Sequence, residues 1–366
     1  MNVFTQEELD IINNCSCLYI KLNKKTINSP EYFYNKQIES TLDYIHLLNI
    51  DLDMDTFKKD YLDIEIQIKF DEYTPDILQQ IQSAINTLKK QQKSCKINFV
   101  APLNGFRKDL LTNLIDLSKT LDMDFFVSER GDEDASSPLH QAIEIYAQLD
   151  TIVNRIKALN LSPFEQFLAV HDYAANRIYK EVHWTEEMHK SRALLNVMSG
   201  DNIVCVGYAN IVKELCNRLA IDCKIIRGAY VNQNTRMREG DAHVANIVHI
   251  VDEKYGIDGY YFCDACWDSK NSPDQSYNTY TYSAIPIQDI KEIPQSKFFS
   301  SEIESYDIPP RSNPIPIEVY RQALNNIYQN PQQVEEALNQ TIKNSYYYYS
   351  RYAENDFAQN YYHMLR

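Results

Sequence analysis

Glycine is rare in this chain and concentrated in one segment. The 366 residues include only 8 glycines, which is about 2% where roughly 7% is usual. Six of them lie between residues 200 and 259. Glycine adopts backbone conformations that other residues avoid, and it lets neighbouring groups approach closely. We therefore expect the tight turns of the fold, and with them its reactive side chains, in this segment.

The composition excludes several classes of protein. Hydrophobic residues make up 44% and charged residues 24% of the chain, which is typical of a globular protein and too apolar for a disordered one. The net charge of −15, without a basic block, argues against a nucleic-acid partner. No apolar run approaches the ~18 residues of a membrane span, and the first residues lack the pattern of a secretory signal. We expect neither a membrane nor a nucleic-acid partner.

The cysteines favour an intracellular protein without a metal. Eight cysteines in 366 residues are too few for a disulfide scaffold, so we expect reduced thiols in the cytoplasm. Cys263 and Cys266 have the spacing of a metal or redox pair, but no second ligand pair accompanies them; His249 with Cys223 is a conceivable partner. We expect no metal and no cofactor, and we expect Cys216 and Cys223 in the core.

The chain divides into three predicted regions. Residues 1–130 are predicted to form a small α/β domain, with strands at 63–70, 96–100 and 124–128 and helices at 75–90 and 106–121. A polar segment at 129–138 predicts a linker, and a second domain is expected at 138–300. Residues 301–366 form a proline-rich connector and a helical, tyrosine-rich tail that includes residues 346–349. We expect the tail to dock as a hairpin; alternatively, the tail or the first domain binds a protein partner.

Helix signals open the second domain. One helix is expected at 138–159. Residues 162–165 combine an N-cap serine, a proline at the first helical position and the glutamate of a capping box, so another helix is expected from there to about Tyr179. The histidines of this part are expected at the surface: His171, His183 and His189.

Cys205 opens a further helical pattern. Apolar residues recur after it at the spacing of one buried helix face: Tyr208, Ile211, Val212, Leu215 and Leu219. Cys205 therefore lies at or near a helix N-terminus, where the helix dipole and backbone N–H groups favour a thiolate and can stabilise an oxyanion. Cys205 is a candidate nucleophile, with a buried structural cysteine as the alternative.

Two strand-like runs follow at 241–251 and 260–268. The loop between them contains two glycines and predicts an antiparallel hairpin. This pairing places His243 and Asp264 side by side at one end of a sheet, where Cys205 can reach them. A cysteine nucleophile, a histidine base and an orienting aspartate make a catalytic triad. Asp268 is the alternative to Asp264.

Residues 162–268 resemble the transglutaminase-like superfamily of papain-type cysteine enzymes. The matching segments are the entry helix from Ser162, Cys205-Val-Gly-Tyr-Ala, Leu219-Ala-Ile-Asp-Cys, His243-Val-Ala-Asn246 and Asp264-Ala-Cys-Trp-Asp268. The chain departs from the usual family pattern at Ile203, Ala245 and Ala265-Cys266. The resemblance implies an α+β papain-like core with Cys205, His243 and Asp264 as the triad, in that chain order.

The resemblance also implies a chemistry. It implies acyl transfer on amide bonds of a protein or peptide substrate through a Cys205 thioester. We expect a protease, an amidase or a glutamine deamidase; a crosslinking transglutaminase and an inactive binding module are the alternatives.

Four further residues are candidates for substrate contact. Gly207 would let a substrate or another backbone approach, and Asn246 matches the family pattern. Tyr208 and Trp184 would either line the cleft or pack in the core.

Overall fold

The computed structural model describes residues 17–21, 24–29, 32–37, 64–69, 95–101, 108–129, 136–180, 186–200, 202–231, 242–269, 278–292, 297–299 and 312–344. Several expectations lie outside these residues: the helix at 75–90, most of the predicted linker, His183, Trp184 and residues 346–349. Within the described ranges, no helix combines the length and the apolar character needed to cross a bilayer. The chain divides into two compact units, Met1–Tyr146 and Ala147–Arg366.

The first unit contains a mixed sheet. Its strands are β1 (Cys17–Lys21), β2 (Lys24–Ser29), β3 (Tyr32–Gln37), β4 (Ile64–Lys69), β5 (Cys95–Ala101), β6 (Phe125–Glu129) and β7 (Ser137–Pro138). They lie in the order β3-β2-β1-β4-β5-β6-β7. The pairs β1–β4, β4–β5 and β5–β6 are parallel, and the pairs at both ends of the sheet are antiparallel. Helix α1 (Lys108–Leu121) connects β5 to β6, as a parallel pair requires.

The described end of the predicted linker belongs to this sheet. Ser137–Pro138 pairs with β6 as an edge strand, a position that tolerates proline because its missing N–H faces away from the ladder. Helix α2 (Leu139–Ala158) follows directly, and the division between the units falls inside it.

The second unit contains an antiparallel sheet and a set of helices. Its strands are β8 (Cys223–Val231), β9 (Ala242–Asp252), β10 (Ile257–Cys263), β11 (Ile285–Pro286) and β12 (Lys297–Phe299), in the order β11-β10-β9-β8-β12. Its helices are α3 (Pro163–Ala175), α4 (Glu186–Lys190), α5 (Leu194–Met198), α6 (Cys205–Arg218), α7 (Ile317–Ile327) and α8 (Pro331–Asn344), with a 3-10 helix at Ile287–Glu292. Helices packed with an antiparallel sheet make this unit α+β, the fold class that the sequence predicts.

Helix α6 packs against β8 and β9. Tyr208, Ile211, Val212 and Leu215 are buried at the predicted spacing of three and four residues, so one face of the helix covers the sheet. This packing holds the N-terminus of α6, where Cys205 lies, in a fixed position relative to the strands.

Helix α3 ends earlier than the sequence predicts. It stops at Ala175, four residues before the expected end at Tyr179. Tyr179 instead forms a parallel bridge with Ile203, and the Lys180 N–H donates to the Ile203 carbonyl at 3.1 Å. A long-range backbone pairing therefore replaces the last helical turn.

The described part of the tail packs on α3. Phe164 of α3 and Tyr320 of α7 meet edge to face with their ring centroids 5.3 Å apart. Both side chains are fully buried. The tail helices α7 and α8 are thus part of the core of the second unit.

Glu165 joins three distant segments of this unit. Its carboxylate accepts hydrogen bonds from the Ser162 N–H at 2.7 Å and from Lys254, Tyr255 and Asn326 at 2.6 Å each. Burial raises the pKa of Glu165, but these hydrogen bonds outweigh burial and lower the pKa to about 2. The bond from Ser162 is the glutamate half of the predicted capping box.

Candidate active site

Cys205 is the first residue of helix α6. The residues before it are held from two sides, because the Val204 N–H donates to the Ser191 carbonyl at 3.2 Å and Ile203 pairs with Tyr179. The Cys205 side chain is half-buried, so a reagent or substrate can reach it. The backbone of Cys205 lies at the N-terminus of α6, the positive end of the helix dipole.

Gly207 allows the start of α6 to pack closely. A Cβ atom at this position would lie 2.8 Å from the Ser191 carbonyl oxygen and 2.8 Å from the Ile203 side chain, distances that are too short for any larger residue. Glycine is needed here for contact with the protein's own backbone.

The hairpin of β9 and β10 brings His243 and Asp264 together. Its turn contains Gly256 at a φ of +65°, a conformation that favours glycine. The register pairs Cys263 with Asn246, so Asp264 follows β10 at the sheet end where β9 begins. There, His243 Nε2 and Asp264 Oδ2 are 2.5 Å apart. His243 and Asp264 are 6% and 1% exposed.

His243 contacts Cys205 as well as Asp264. A hydrogen bond and the charge of Cys205 both act on the imidazole, which places the two side chains in contact. Burial lowers the pKa of His243, but the charge and hydrogen bond of Asp264, together with the Cys205 contact, outweigh burial and raise the pKa to about 10. The site therefore holds an imidazolium between a carboxylate and a sulfur.

Trp267 covers this group. Its indole stacks on the His243 ring with centroids 4.5 Å apart and planes within 8°. The Trp267 backbone N–H donates to Asp264 Oδ1 at 3.0 Å, so both carboxylate oxygens are engaged. The stack restricts the imidazole to the plane in which it meets Cys205 and Asp264.

Three of the expected substrate-binding residues are buried and contact other parts of the protein. Gly207 is buried against backbone, as described above. Tyr208 is 1% exposed, and its hydroxyl donates to the Arg177 carbonyl at 2.9 Å. Asn246 is 1% exposed, and its Nδ2 donates to the Ala209 carbonyl at 3.0 Å. For Tyr208 and Gly207 the structure shows the alternatives of core packing and close backbone approach, and all three residues help to seat α6. Contact of any of them with a substrate stays a prediction.

A second histidine–aspartate pair lies in the same unit. His171 is fully buried, with Nε2 3.2 Å from Asp268 Oδ2 and Nδ1 3.6 Å from Asp172 Oδ1. Asp268 also accepts from the Thr279 hydroxyl and the Tyr282 N–H, at 2.9 Å each. Burial lowers the pKa of His171, but the two carboxylates outweigh burial and raise the pKa to about 9. The expectation of a surface His171 is wrong, and Asp268 belongs to this pair.

The remaining cysteines of this region differ from Cys205 in burial or in the charges beside them. Cys216, Cys223 and Cys263 are buried and Cys266 is half-buried. Burial raises the pKa of both Cys263 and Cys266, and the charge of Asp264 raises each further. No group of three or more histidine, cysteine, aspartate or glutamate side chains within the described residues could hold a metal ion.

The sequence contained a signal for His171 that helical spacing makes visible. Phe164, Phe167, Leu168 and His171 follow the i, i+3, i+4, i+7 pattern of a buried helix face, and all four are buried. A histidine on such a face needs polar partners. For Trp267, the signal was its position three residues after Asp264.

The chain matches no family model and no curated protein. The arrangement of Cys205, His243 and Asp264 is therefore the basis on which a function is assigned.

Proposed function

We propose that this chain is a cysteine-dependent acyl-transfer enzyme with a transglutaminase-like, papain-type core. One observation carries the proposal: the imidazole of His243 contacts both Cys205, at the start of helix α6, and Asp264, at the end of the adjacent strand. A nucleophile, a base and an orienting acid in contact are the constellation of covalent catalysis. Their chain order and the elements that hold them support the resemblance.

The first half of the reaction forms a thioester. The Cys205 thiolate attacks the carbonyl carbon of an amide, and a carbon–sulfur bond forms while the carbonyl oxygen takes the negative charge. The backbone N–H of Cys205, at the helix N-terminus, stabilises that oxyanion. As the carbon–nitrogen bond breaks, His243 gives its proton to the departing amine.

The second half releases the acyl group. His243, now neutral, takes a proton from water, and the oxygen attacks the thioester carbon to release a carboxylic acid and restore the thiolate. Water as the acceptor makes the enzyme a protease, an amidase or a glutamine deamidase acting on a protein or peptide in the cytoplasm. We favour water, because hydrolysis needs no second substrate site beside Cys205. An amine acceptor would make the enzyme a crosslinking transglutaminase.

Selective alkylation tests the nucleophile. With iodoacetamide at pH 6, we expect Cys205 to react at least about tenfold faster than Cys266, because thiolates and not thiols are alkylated. Cys266 is the matched control, since it is also half-buried and follows Asp264 by only two residues. Peptide mass spectrometry gives both rates. Equal labelling of the two cysteines would refute catalysis and favour an inactive binding module.

The class of reaction is read from product masses. The protein is incubated with a mixed peptide library and a primary amine, with Cys205→Ala as the control. Cleavage, a gain of about 1 Da, and incorporation of the amine distinguish a protease, a deamidase and a transglutaminase. We expect products of hydrolysis in the wild-type reaction and none with Cys205→Ala.

A further inference from the structure

A small cavity lies between the C-terminal half of α3 and helix α8. Its volume is about 70 Å³, which is room for more than one water molecule. Six residues form its walls: Asp172, Asn278, Tyr280, Tyr328, Val334 and Ala337. Asn176, which is exposed, and Gln333, which is half-buried, line it as well, so we infer that it opens on their side. None of these residues belongs to the group around Cys205.

The polar wall is built on the Asp172 carboxylate. Asp172 is 2% exposed. Its Oδ2 accepts from the Tyr280 hydroxyl at 2.8 Å and from the Tyr328 hydroxyl. Its Oδ1 accepts from Asn278 Nδ2 at 3.1 Å. Oδ1 also faces the His171 Nδ1 at 3.6 Å, so both carboxylate oxygens are engaged and Asp172 offers the cavity its negative charge.

Asn278 contributes a second acceptor. Its Nδ2 lies 3.1 Å from Asp172 Oδ1 and 3.2 Å from the Asp172 carbonyl oxygen. Since both neighbours are acceptors, the amide must face them with its nitrogen. The opposite atom, Oδ1, is buried and accepts no hydrogen bond from the protein, although the residue is only 6% exposed. A buried carbonyl oxygen without a donor calls for one from a ligand or from water.

The charge around the cavity is unbalanced. The His171 imidazolium faces two carboxylates, Asp172 at 3.6 Å and Asp268 at 3.2 Å. Among the described residues, this one positive charge faces two carboxylates, and the remaining negative charge favours a cation in the cavity.

The other wall is apolar. Val334 and Ala337 of helix α8 are 3% and 4% exposed and line the cavity. An inorganic cation gains nothing from a hydrocarbon surface, whereas an alkyl chain does. Acceptors on one side and methyl groups on the other therefore fit a ligand with a charged, hydrogen-bond-donating head and a short hydrocarbon chain.

We propose that this cavity binds a primary alkylammonium group. The ammonium donates to Asn278 Oδ1 and lies beside the negative charge of Asp172, and the chain carbons pack on Val334 and Ala337. The same chemistry is offered by a free alkylamine and by a lysine side chain that enters past Gln333. The site is distinct from the proposed catalytic group and does not depend on it.

Calorimetric titration of the full-length protein tests the ligand class. We expect n-propylammonium to bind at least tenfold more tightly than two probes: tetramethylammonium, which has the charge without N–H donors, and 1-propanol, which has the chain without the charge. Equal affinity for the three, or no binding of n-propylammonium, overturns the proposal. A separate titration with the amide of Nα-acetyl-lysine identifies the source: binding assigns a lysine side chain, and its failure alone assigns a free amine.

Two variants tie the binding to the cavity. Ala337→Leu fills the apolar wall, and Gln333→Lys places an ammonium at the half-buried rim, so each is expected to weaken n-propylammonium binding at least tenfold. Gln333→Lys does not enter the core and keeps the test decisive if Ala337→Leu unfolds. Gln332→Lys, at the exposed neighbouring position, adds the same charge outside the cavity and is expected to bind as the wild type does. Unchanged binding in Gln333→Lys overturns the proposal.

Discussion

The two buried histidine–aspartate pairs described in the second unit differ in what reaches the imidazole. His243 meets Asp264 on one side and Cys205 on the other, beneath the Trp267 ring. His171 meets the carboxylates of Asp172 and Asp268 on its two nitrogens and is fully buried. The pKa is raised in both, to about 10 and about 9. A raised histidine pKa therefore marks a charged environment, and access to a nucleophile is what makes His243 the catalytic candidate.

The two pairs are connected by one short turn. Asp264 and Asp268 lie at its ends, and the Asp268 N–H donates to the Asp264 carbonyl at 3.2 Å. Tyr282 also joins them, since its carbonyl accepts from the Asp264 N–H at 2.8 Å and its N–H donates to Asp268. The buried pair thus anchors the turn that presents Asp264 and Trp267 to His243.

The largest effect on activity is expected from substitution of His243, the histidine that contacts Cys205. His243→Ala removes the general base, so turnover of any peptide that the wild type processes falls by about 100- to 10,000-fold. The preferential alkylation of Cys205 is lost with it. His171→Leu, assayed well below its melting temperature, keeps that preference. If both variants lose it equally, the distinction between a catalytic and a structural pair is wrong.

For thermal stability, we expect the larger loss from substitution of His171, the histidine whose substitution spares the alkylation preference of Cys205. His171→Leu leaves Asp172 and Asp268 buried without a cation, which costs about 3–5 kcal/mol and lowers the melting temperature by roughly 6–20 °C. The control is His249→Leu, because His249 pairs with the exposed Asp258 and a surface pair contributes less than about 1 kcal/mol. Thermal unfolding followed by circular dichroism measures both. A similar loss in the two variants would contradict a buried ionic role for His171.

The same pair predicts a dependence on pH. The pKa of His171 rises from 6.5 in the unfolded chain to about 9 in the fold, so its stabilising contribution is complete below pH 6.5 and is lost as pH rises through 9. The melting-temperature difference between wild type and His171→Leu is therefore expected to shrink by several degrees between pH 6 and pH 9.5. Comparing the two proteins cancels His243, whose pKa is also raised. A difference that stays constant over this range would argue against protonation of His171.

The smallest effect concerns the ring above His243. Trp267→Leu removes the stack and is expected to reduce the alkylation preference of Cys205 by about 2- to 10-fold, from the ~0.5–1.5 kcal/mol of an aromatic pair. Trp267→Phe retains a ring and should lose less. Tyr260→Leu is the matched control, because Tyr260 stacks on His249 with centroids 4.2 Å apart, away from Cys205. An equal effect of Trp267→Leu and Tyr260→Leu would show that the Trp267 stack does not influence the reactivity of Cys205.

The sequence predictions that the structure confirms are those that depend on local patterns. The helix after Cys205 and the hairpin that carries His243 and Asp264 depend on periodicity and turn residues within a few positions. The α+β class follows from those elements. The papain-like core, the cytoplasmic location and the acyl-transfer chemistry stay predictions that await the experiments above.

The misassigned residues depend on partners far away in the chain. His171 meets Asp268 across 97 positions, and the end of α3 is set by a bridge from Tyr179 to Ile203. Helical spacing indicates that His171 is buried, but the identity of its partner and the bridge that ends α3 are not visible in the local sequence. Tyr208 and Asn246 lie beside motif residues, but their side chains point into the interior, because α6 must be seated on the sheet before Cys205 is in place.

The contacts of helix α3 also determine when the second unit can finish folding during synthesis. Glu165 receives its hydrogen bond from Asn326 across 161 positions, and Asp172 receives that of Tyr328 across 156. At roughly 5–20 residues per second, a ribosome needs about 8–32 s to travel from one to the other. During that interval these carboxylates lack their last partners, so the nascent second unit reaches its final form only as the tail helices emerge.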